Sequence, residues 1–189
     1  DLILVNSYSM LLPQELLDIP RRGAINIHGA LLPQYRGCNP MQWAIINRET
    51  VTGVTMHYMD ANFDTGDIIA QNQVPLRFED TWLDVQQRIA TATEVLLAEQ
   101  IPLILSGINS RTLQTEEQAG YWRRRTPEDG RFDWSWKAVD IYNLIRALVH
   151  PHPGAFYLDT TGNEVVIDRF MPYAEVRQMQ FELTGKVVE

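Results

Sequence analysis

In the stretch NIHGALLPQYRGCNP, Asn26 to Pro40, an amide and an imidazole stand two residues apart, directly ahead of a loop crowded with Gly and Pro. On an extended strand that spacing puts Asn26 and His28 on one face. A second stretch, DANFDTG, contributes two carboxylates, Asp60 and Asp64, in a turn between two strand-like segments. A carboxylate beside an imidazole fixes its tautomer and raises its pKa. Together the three group types can run acyl transfer to an amine without a metal. The amide donates to the developing oxyanion, the imidazolium does the same or passes a proton, and the carboxylate collects the proton that the attacking amine loses. Two plainer readings use the same residues. Each is also an ordinary polar strand-end or turn residue. His28, His57, Asp60 and Asp64, with His150 or His152, are also N and O donors for a metal, although their spacings match no ligand motif.

The surrounding elements must bring these groups to one place. Leu2 to Val5 is a short continuous apolar run of the kind found in a parallel strand covered on both faces. A short helix is expected over Pro13 to Leu17, a strand over Ala24 to His28, and a loop over Gly29 to Pro40. PMQWAIINRE then reads as a helix with Pro40 in its first turn and Trp43, Ala44 and Ile46 on its inner side. Two strands follow, Gly53 to Asp60 and Asp67 to Leu76. Trp82, Val85, Ile89, Ala92 and Leu96 recur at helical spacing, so an amphipathic helix is expected from an N-cap at Asp80 or Thr81 to about Leu105, with Gly107 as its stop. TLQTEEQAGYWRRRTPEDGRFDW reads as a linker and surface loop, Trp136 to Val149 as a helix ended by His150-Pro151-His152-Pro153, and AFYL and VVIDRF as a hairpin about DTTGNE. Asn26 and His28 thereby fall at the carboxyl end of a strand, where open α/β sheets place their ligands.

Composition narrows the partners. The chain has 189 residues, 16 Lys plus Arg against 24 Asp plus Glu, and a formal charge of −8, so its averaged field repels phosphate backbones and disfavours nucleic acid. The basic run Arg123-Arg124-Arg125 is followed by Glu128 and Asp129 and reads as a solvated turn. One cysteine, Cys38, excludes an intramolecular disulfide and leaves no Cys cluster for zinc, which points to a cytoplasmic location. No signal segment and no apolar run near membrane-spanning length are apparent, so membrane insertion is not expected.

The stretch INIHGALLPQYRGCNPMQWAIINRETVTGVTMHYMDANFDTGDIIAQ resembles the catalytic core of the formyltransferases that use 10-formyltetrahydrofolate. The match rests on Asn-x-His, LLPxYRG and GVTxHxMDxxxDTGDII at the family's intervals, and it continues through RRTPEDGRFDW and IRALVHPHPGAF to about residue 158. The resemblance implies an α/β fold: a partial Rossmann-like formyltransferase core over 1–112 and a small helix-plus-β carboxyl-terminal subdomain over 113–189. It implies Asn26, His28 and Asp64 as the catalytic trio, 10-formyltetrahydrofolate as co-substrate, and no metal. It also implies a pterin pocket lined by Tyr8, Ser9, Met10, Leu11 and Leu12 with the loop from Asp60 to Asp64. By itself SYSMLLP reads as a strand end entering a helix. Arg36 and Gly37 match the family's loop after the catalytic strand, where a Gly turn with a surface Arg is the plain alternative; Trp43 and His57 match family positions too.

Against a methionyl-tRNA acceptor stand the acidic balance and the short segment after the core. RRTPEDGRFDW and RALVHPHPGAF are most similar to enzymes that formylate a nucleotide-linked amino sugar, a dTDP-4-amino-4,6-dideoxyhexose or UDP-4-amino-4-deoxyarabinose, the chemistry of lipopolysaccharide biosynthesis. The alternatives are methionyl-tRNA or another amine, or a non-catalytic folate- or nucleotide-binding relative. The family's first half-sheet has no counterpart before Leu2, so the chain is expected to be a piece of a longer one. The tail VVIDRFMPYAEVRQMQFELTGKVV is expected to pair across a homodimer.

Overall fold

The computed structural model describes residues 1–8 and 10–167. Strand β1 (Ile3–Asn6), helix α1 (Gln14–Leu17) and strand β2 (Ala24–His28) come first, followed by the two-residue strand β3 (Arg36–Gly37) and helix α2 (Pro40–Ile46). The hairpin of β4 (Val51–Tyr58) and β5 (Ile68–Pro75) leads into the long helix α3 (Trp82–Ser106). A two-residue strand β6 (Tyr121–Trp122), helix α4 (Ala138–Ala147) and the hairpin β7 (Ala155–Leu158) and β8 (Glu164–Ile167) complete the described chain.

The main sheet runs β1-β2-β4-β5, with β1 parallel to β2 and the other pairs antiparallel. β1 is not covered on both faces as its apolar run suggests: it alternates half-buried with exposed residues, and Leu4 is 45% exposed. The fully covered strand is β4, whose residues from Thr52 to His57 are all buried, polar ones included. Ile25, Ile27, Val54 and Met56 from the sheet, Val85, Ile89 and Leu96 from α3, Ile45 from α2, and Ile141, Leu144 and Ala147 from α4 form one continuous core.

Local signals set the long elements. Thr81 and Asp84 form a reciprocal capping box at the start of α3, and Gly107 closes it at φ 74°, in the left-handed region that glycine tolerates. By length and composition α3 is apolar enough to span a membrane, with one 18-residue window at mean hydropathy 1.3, which corrects the sequence reading. Here it packs on β4 and β5. On α2 Gln42, Ala44 and Ile45 are fully buried, and Trp43 and Ile46 are partly buried against the core. Trp43 also packs on Trp122, ring centroids 5.0 Å apart, beneath the Arg125 guanidinium. Arg146, buried on α4, donates to the carbonyls of Arg77 and Asp80 and ties that helix to the turn before α3. The segment expected to pair across a dimer lies, beyond Ile167, outside the described residues.

Candidate active site

β2 supplies the first two groups. Its register against β4 sets Asn26 opposite His57 and His28 opposite Thr55. The β4–β5 register shifts between Met56 and His57, where Ile69 of β5 is left out of the pairing. The direct pairing with β2 brings His57 to the other two: its Nε2 lies 3.3 Å from Asn26 Nδ2, and its ring meets that of His28 edge-on at 6.4 Å. His57 Nδ1–H donates to the Tyr58 carbonyl at 2.7 Å, which fixes the tautomer with a lone pair on Nε2.

The loop after β2 is pinned rather than free. Thr55 Oγ1 donates to the Ala30 carbonyl at 2.6 Å and accepts from Leu32 N–H, while Gln71 Nε2 donates to Thr55 Oγ1 and to the Leu32 carbonyl. This returns the chain so that the Tyr35 carbonyl accepts from His28 Nε2–H at 2.6 Å. His28 Nδ1 is left facing Asp64 Oδ2 at 3.6 Å.

Asp64 arrives on the turn between β4 and β5 in the left-handed conformation, φ 56°, which is uncommon for a residue with a Cβ. Its Oδ2 accepts the Gly37 N–H at 2.8 Å, and its Oδ1 accepts from Asn26 Nδ2 at 3.3 Å. Gly37 itself sits at φ 98°, and a Cβ there would lie 2.3 Å from the Trp122 carbonyl oxygen, so only glycine brings that N–H to the carboxylate.

Burial works to raise the Asp64 pKa, but the His57 side chain beside its Oδ1, the His28 charge and the Gly37 N–H outweigh it and bring it down to about 2. For His28 the balance reverses the sequence expectation. Asp64 does push its pKa up, as anticipated, yet burial is the larger influence and the net displacement is below 6.5. His28 therefore rests neutral at pH 7 beside an ionised Asp64.

The three groups share one wall of an open cavity of about 820 Å³, which Ser7, Tyr8 and Phe63 also line. Of the residues matched to a pterin pocket, Tyr8 lines this cavity, whereas Met10, Leu11 and Leu12 do not; Met10 is 61% exposed. Ser9 is outside the described residues. Asp60 builds the turn instead of facing the cavity, accepting from Asn62 N–H and the Thr65 hydroxyl. Gln42, Arg124, Arg125 and His152 line the same cavity. Among the described residues no three His, Cys, Asp or Glu side chains converge as a metal-ligand group.

Two features go beyond the sequence reading. Of the two readings open for Arg36 the surface one falls: the residue is fully buried, with Nη1 donating to Glu116 and to the Tyr121 hydroxyl. The expected linker packs against the site's loops: Thr112 bridges to Ile68, β6 pairs with β3, and Gln114 bonds to Arg36 on one side and to Asp64 on the other. Only the glycine beside Arg36 hinted at so close an approach.

Comparison with known proteins follows this geometry. Residues 1–101 match the formyl transferase family, and residues 124–189 match the formyl transferase carboxyl-terminal domain. The chain is 40% identical over 156 residues to the bifunctional polymyxin resistance protein ArnA of Wigglesworthia glossinidia brevipalpis, a match that takes in 82% of this chain and 24% of that protein. A sugar N-formyltransferase from a Shewanella species superposes with a TM-score of 0.77 at 28% identity, covering 90% of this chain and 69% of that one. The N-formyltransferase of Helicobacter canadensis, in complex with folinic acid and dTDP-3-aminofucose, gives a TM-score of 0.62 at 28% identity, over 66% of this chain and 47% of that one.

Proposed function

The chain belongs to the formyl transferase family, and from that premise we propose that it moves a formyl group from 10-formyltetrahydrofolate to the primary amine of a nucleotide-linked amino sugar. The observation that carries the reading is the convergence of Asn26, His28 and Asp64 on one wall of a cavity large enough for a substrate. The relatives support the acceptor class: ArnA, the Shewanella sugar N-formyltransferase, and the Helicobacter enzyme with its dTDP-amino sugar and folinic acid. A dTDP-4-amino-4,6-dideoxyhexose or UDP-4-amino-4-deoxyarabinose is the proposed substrate, used in the cytoplasm for lipopolysaccharide biosynthesis. We assign the catalytic core to 1–112 and the carboxyl-terminal subdomain to 113–189.

The co-substrate supplies an activated formyl group, and the residues on the cavity wall do the rest. Asn26 Nδ2 holds Asp64 and His57 through contacts of 3.3 Å, long enough that one N–H can turn to the formyl oxygen as negative charge gathers there. His28 begins neutral with its Nδ1 lone pair open, so it takes the proton that the attacking amine sheds and delivers it to the departing nitrogen. This replaces the sequence-based picture of a resting imidazolium. Ionised Asp64, 3.6 Å from that Nδ1, stabilises the imidazolium while it exists. The proton leaves the amine as the new C–N bond forms and reaches the leaving nitrogen as the old one breaks.

A panel of dTDP- and UDP-amino sugars with 10-formyltetrahydrofolate, read by tetrahydrofolate release, tests the acceptor. Turnover with a nucleotide-linked sugar amine is expected. Release only with a different amine would overturn the acceptor, and none with any amine would favour a binding role.

A further inference from the structure

We propose that Gln114 is a positioning residue for this reaction, a single amide that locks the catalytic carboxylate of Asp64 against the loop that follows β2. The inference rests on the formyl-transfer reading. Gln114 Nε2 donates to the carbonyls of both Asp64 and Gly66, at 2.8 and 2.7 Å, so one side chain holds the two peptide groups that flank the bend in the turn. At the first of them Asp64 itself occupies the left-handed region, φ 56°, a conformation that persists in an L-residue only when its surroundings over-determine it. On its other side Gln114 Oε1 accepts from Arg36 Nε at 3.0 Å, and Arg36 is wholly buried, its Nη1 bound to Glu116 and Tyr121.

These contacts close a ring. Gly37, next to Arg36 in sequence, donates its N–H to the Asp64 carboxylate, so that carboxylate is fixed by its side chain through Gly37 and by its backbone through Gln114. Both routes start from the same two-residue strand, β3, which is itself held by β6. Gln114 lies 50 residues after Asp64 and 78 after Arg36, so its contribution is invisible to local spacing. The competing explanation is that Gln114 only satisfies buried polar groups, as most half-buried amides do.

Gln114→Glu separates the two. It keeps the side-chain length and the acceptor for Arg36 but removes both N–H donors to the turn. If Gln114 positions Asp64, the variant folds and its kcat falls by about 10²-fold, the cost typical of an ångström-scale misplacement, with KM for the amine little changed. The His28 imidazole, followed by NMR through a pH titration, changes its midpoint as well. Asp64 pushes the His28 pKa up, so a displaced Asp64 moves the midpoint further down. Gln114→Met, similar in length and without polar atoms, gives the same two readouts should the Glu variant fail to fold. A folded variant with unchanged kcat and unchanged His28 midpoint overturns the inference. If the wild type itself transfers no formyl group the function assignment falls, and the positioning role then stands or falls on the His28 midpoint, which needs no turnover.

Discussion

The end of β2 and the turn between β4 and β5 face the same cavity but are built by opposite means. Asn26 and His28 are aimed by the pleat itself, and their neighbours His57 and Thr55 come from the directly paired residues of the adjacent strand. Asp64 is aimed by nothing local. It holds a left-handed backbone in a turn and depends on Gly37, Gln114 and Asn26, all distant in sequence. Groups on a paired strand inherit their direction from the sheet, whereas a group on a turn needs separate tertiary ties. The strand end should therefore lose chemistry without losing fold, and the turn should lose both.

The largest expected effect comes at the strand end. Asn26→Ala and His28→Ala remove the proposed oxyanion donor and the proposed proton carrier, and each should lower kcat by about 10²–10³-fold while melting within a few degrees of the wild type. Unfolding of either variant would erase the contrast with the turn. Next comes Gly37→Ala. Its new Cβ would meet the Trp122 carbonyl oxygen at 2.3 Å in a backbone at φ 98°, so chemical denaturation should show a loss of roughly 1–3 kcal/mol together with most of the activity. Gly29→Ala, beside His28, meets nothing closer than Met41 at 3.9 Å and should leave stability unchanged. Equal destabilisation by the two substitutions would sink the argument from close approach.

Two smaller effects follow from protonation. Asp64→Asn removes a charge that raises the His28 pKa, so the acid limb of the kcat/KM profile, already below pH 6.5, should move lower still. Movement toward higher pH would contradict Asp64 as the charge that raises the His28 pKa. For stability the sign runs the same way. The folded pKa of His28 is depressed, so the unfolded chain binds that proton first on acidification, and stability is lost as pH falls below about 6.5. In His28→Ala the stability curve should be flatter across that interval, with the lower loss that belongs to Asp64, between pH 3.8 and about 2, still present.

What the sequence disclosed follows the same division. Period-two spacing placed Asn26 and His28 together, the 3,4 spacing from Trp82 to Leu96 together with Gly107 bounded α3, and AFYL with VVIDRF gave the last hairpin. Each is a local pattern tied to one element. A surface Arg36 stayed open as a reading because nothing near it in sequence shows that Glu116 and Tyr121 will enclose it. The helix pattern placed Trp43 on the inner side of α2, where it packs against the core, but could not show that its ring partners, Trp122 and Arg125, come from a segment some 80 residues later. The direction of the His28 pKa needed a depth of burial that spacing does not report.

The most direct test of the central claim is the rate of formamide formation on a nucleotide-linked amino sugar, with 10-formyltetrahydrofolate as donor, for the wild type beside folded Asn26→Ala. The proposed site predicts turnover by the wild type and a rate about 10²–10³-fold lower in the variant. Equal rates in the two proteins, or no formamide from the wild type, would contradict it.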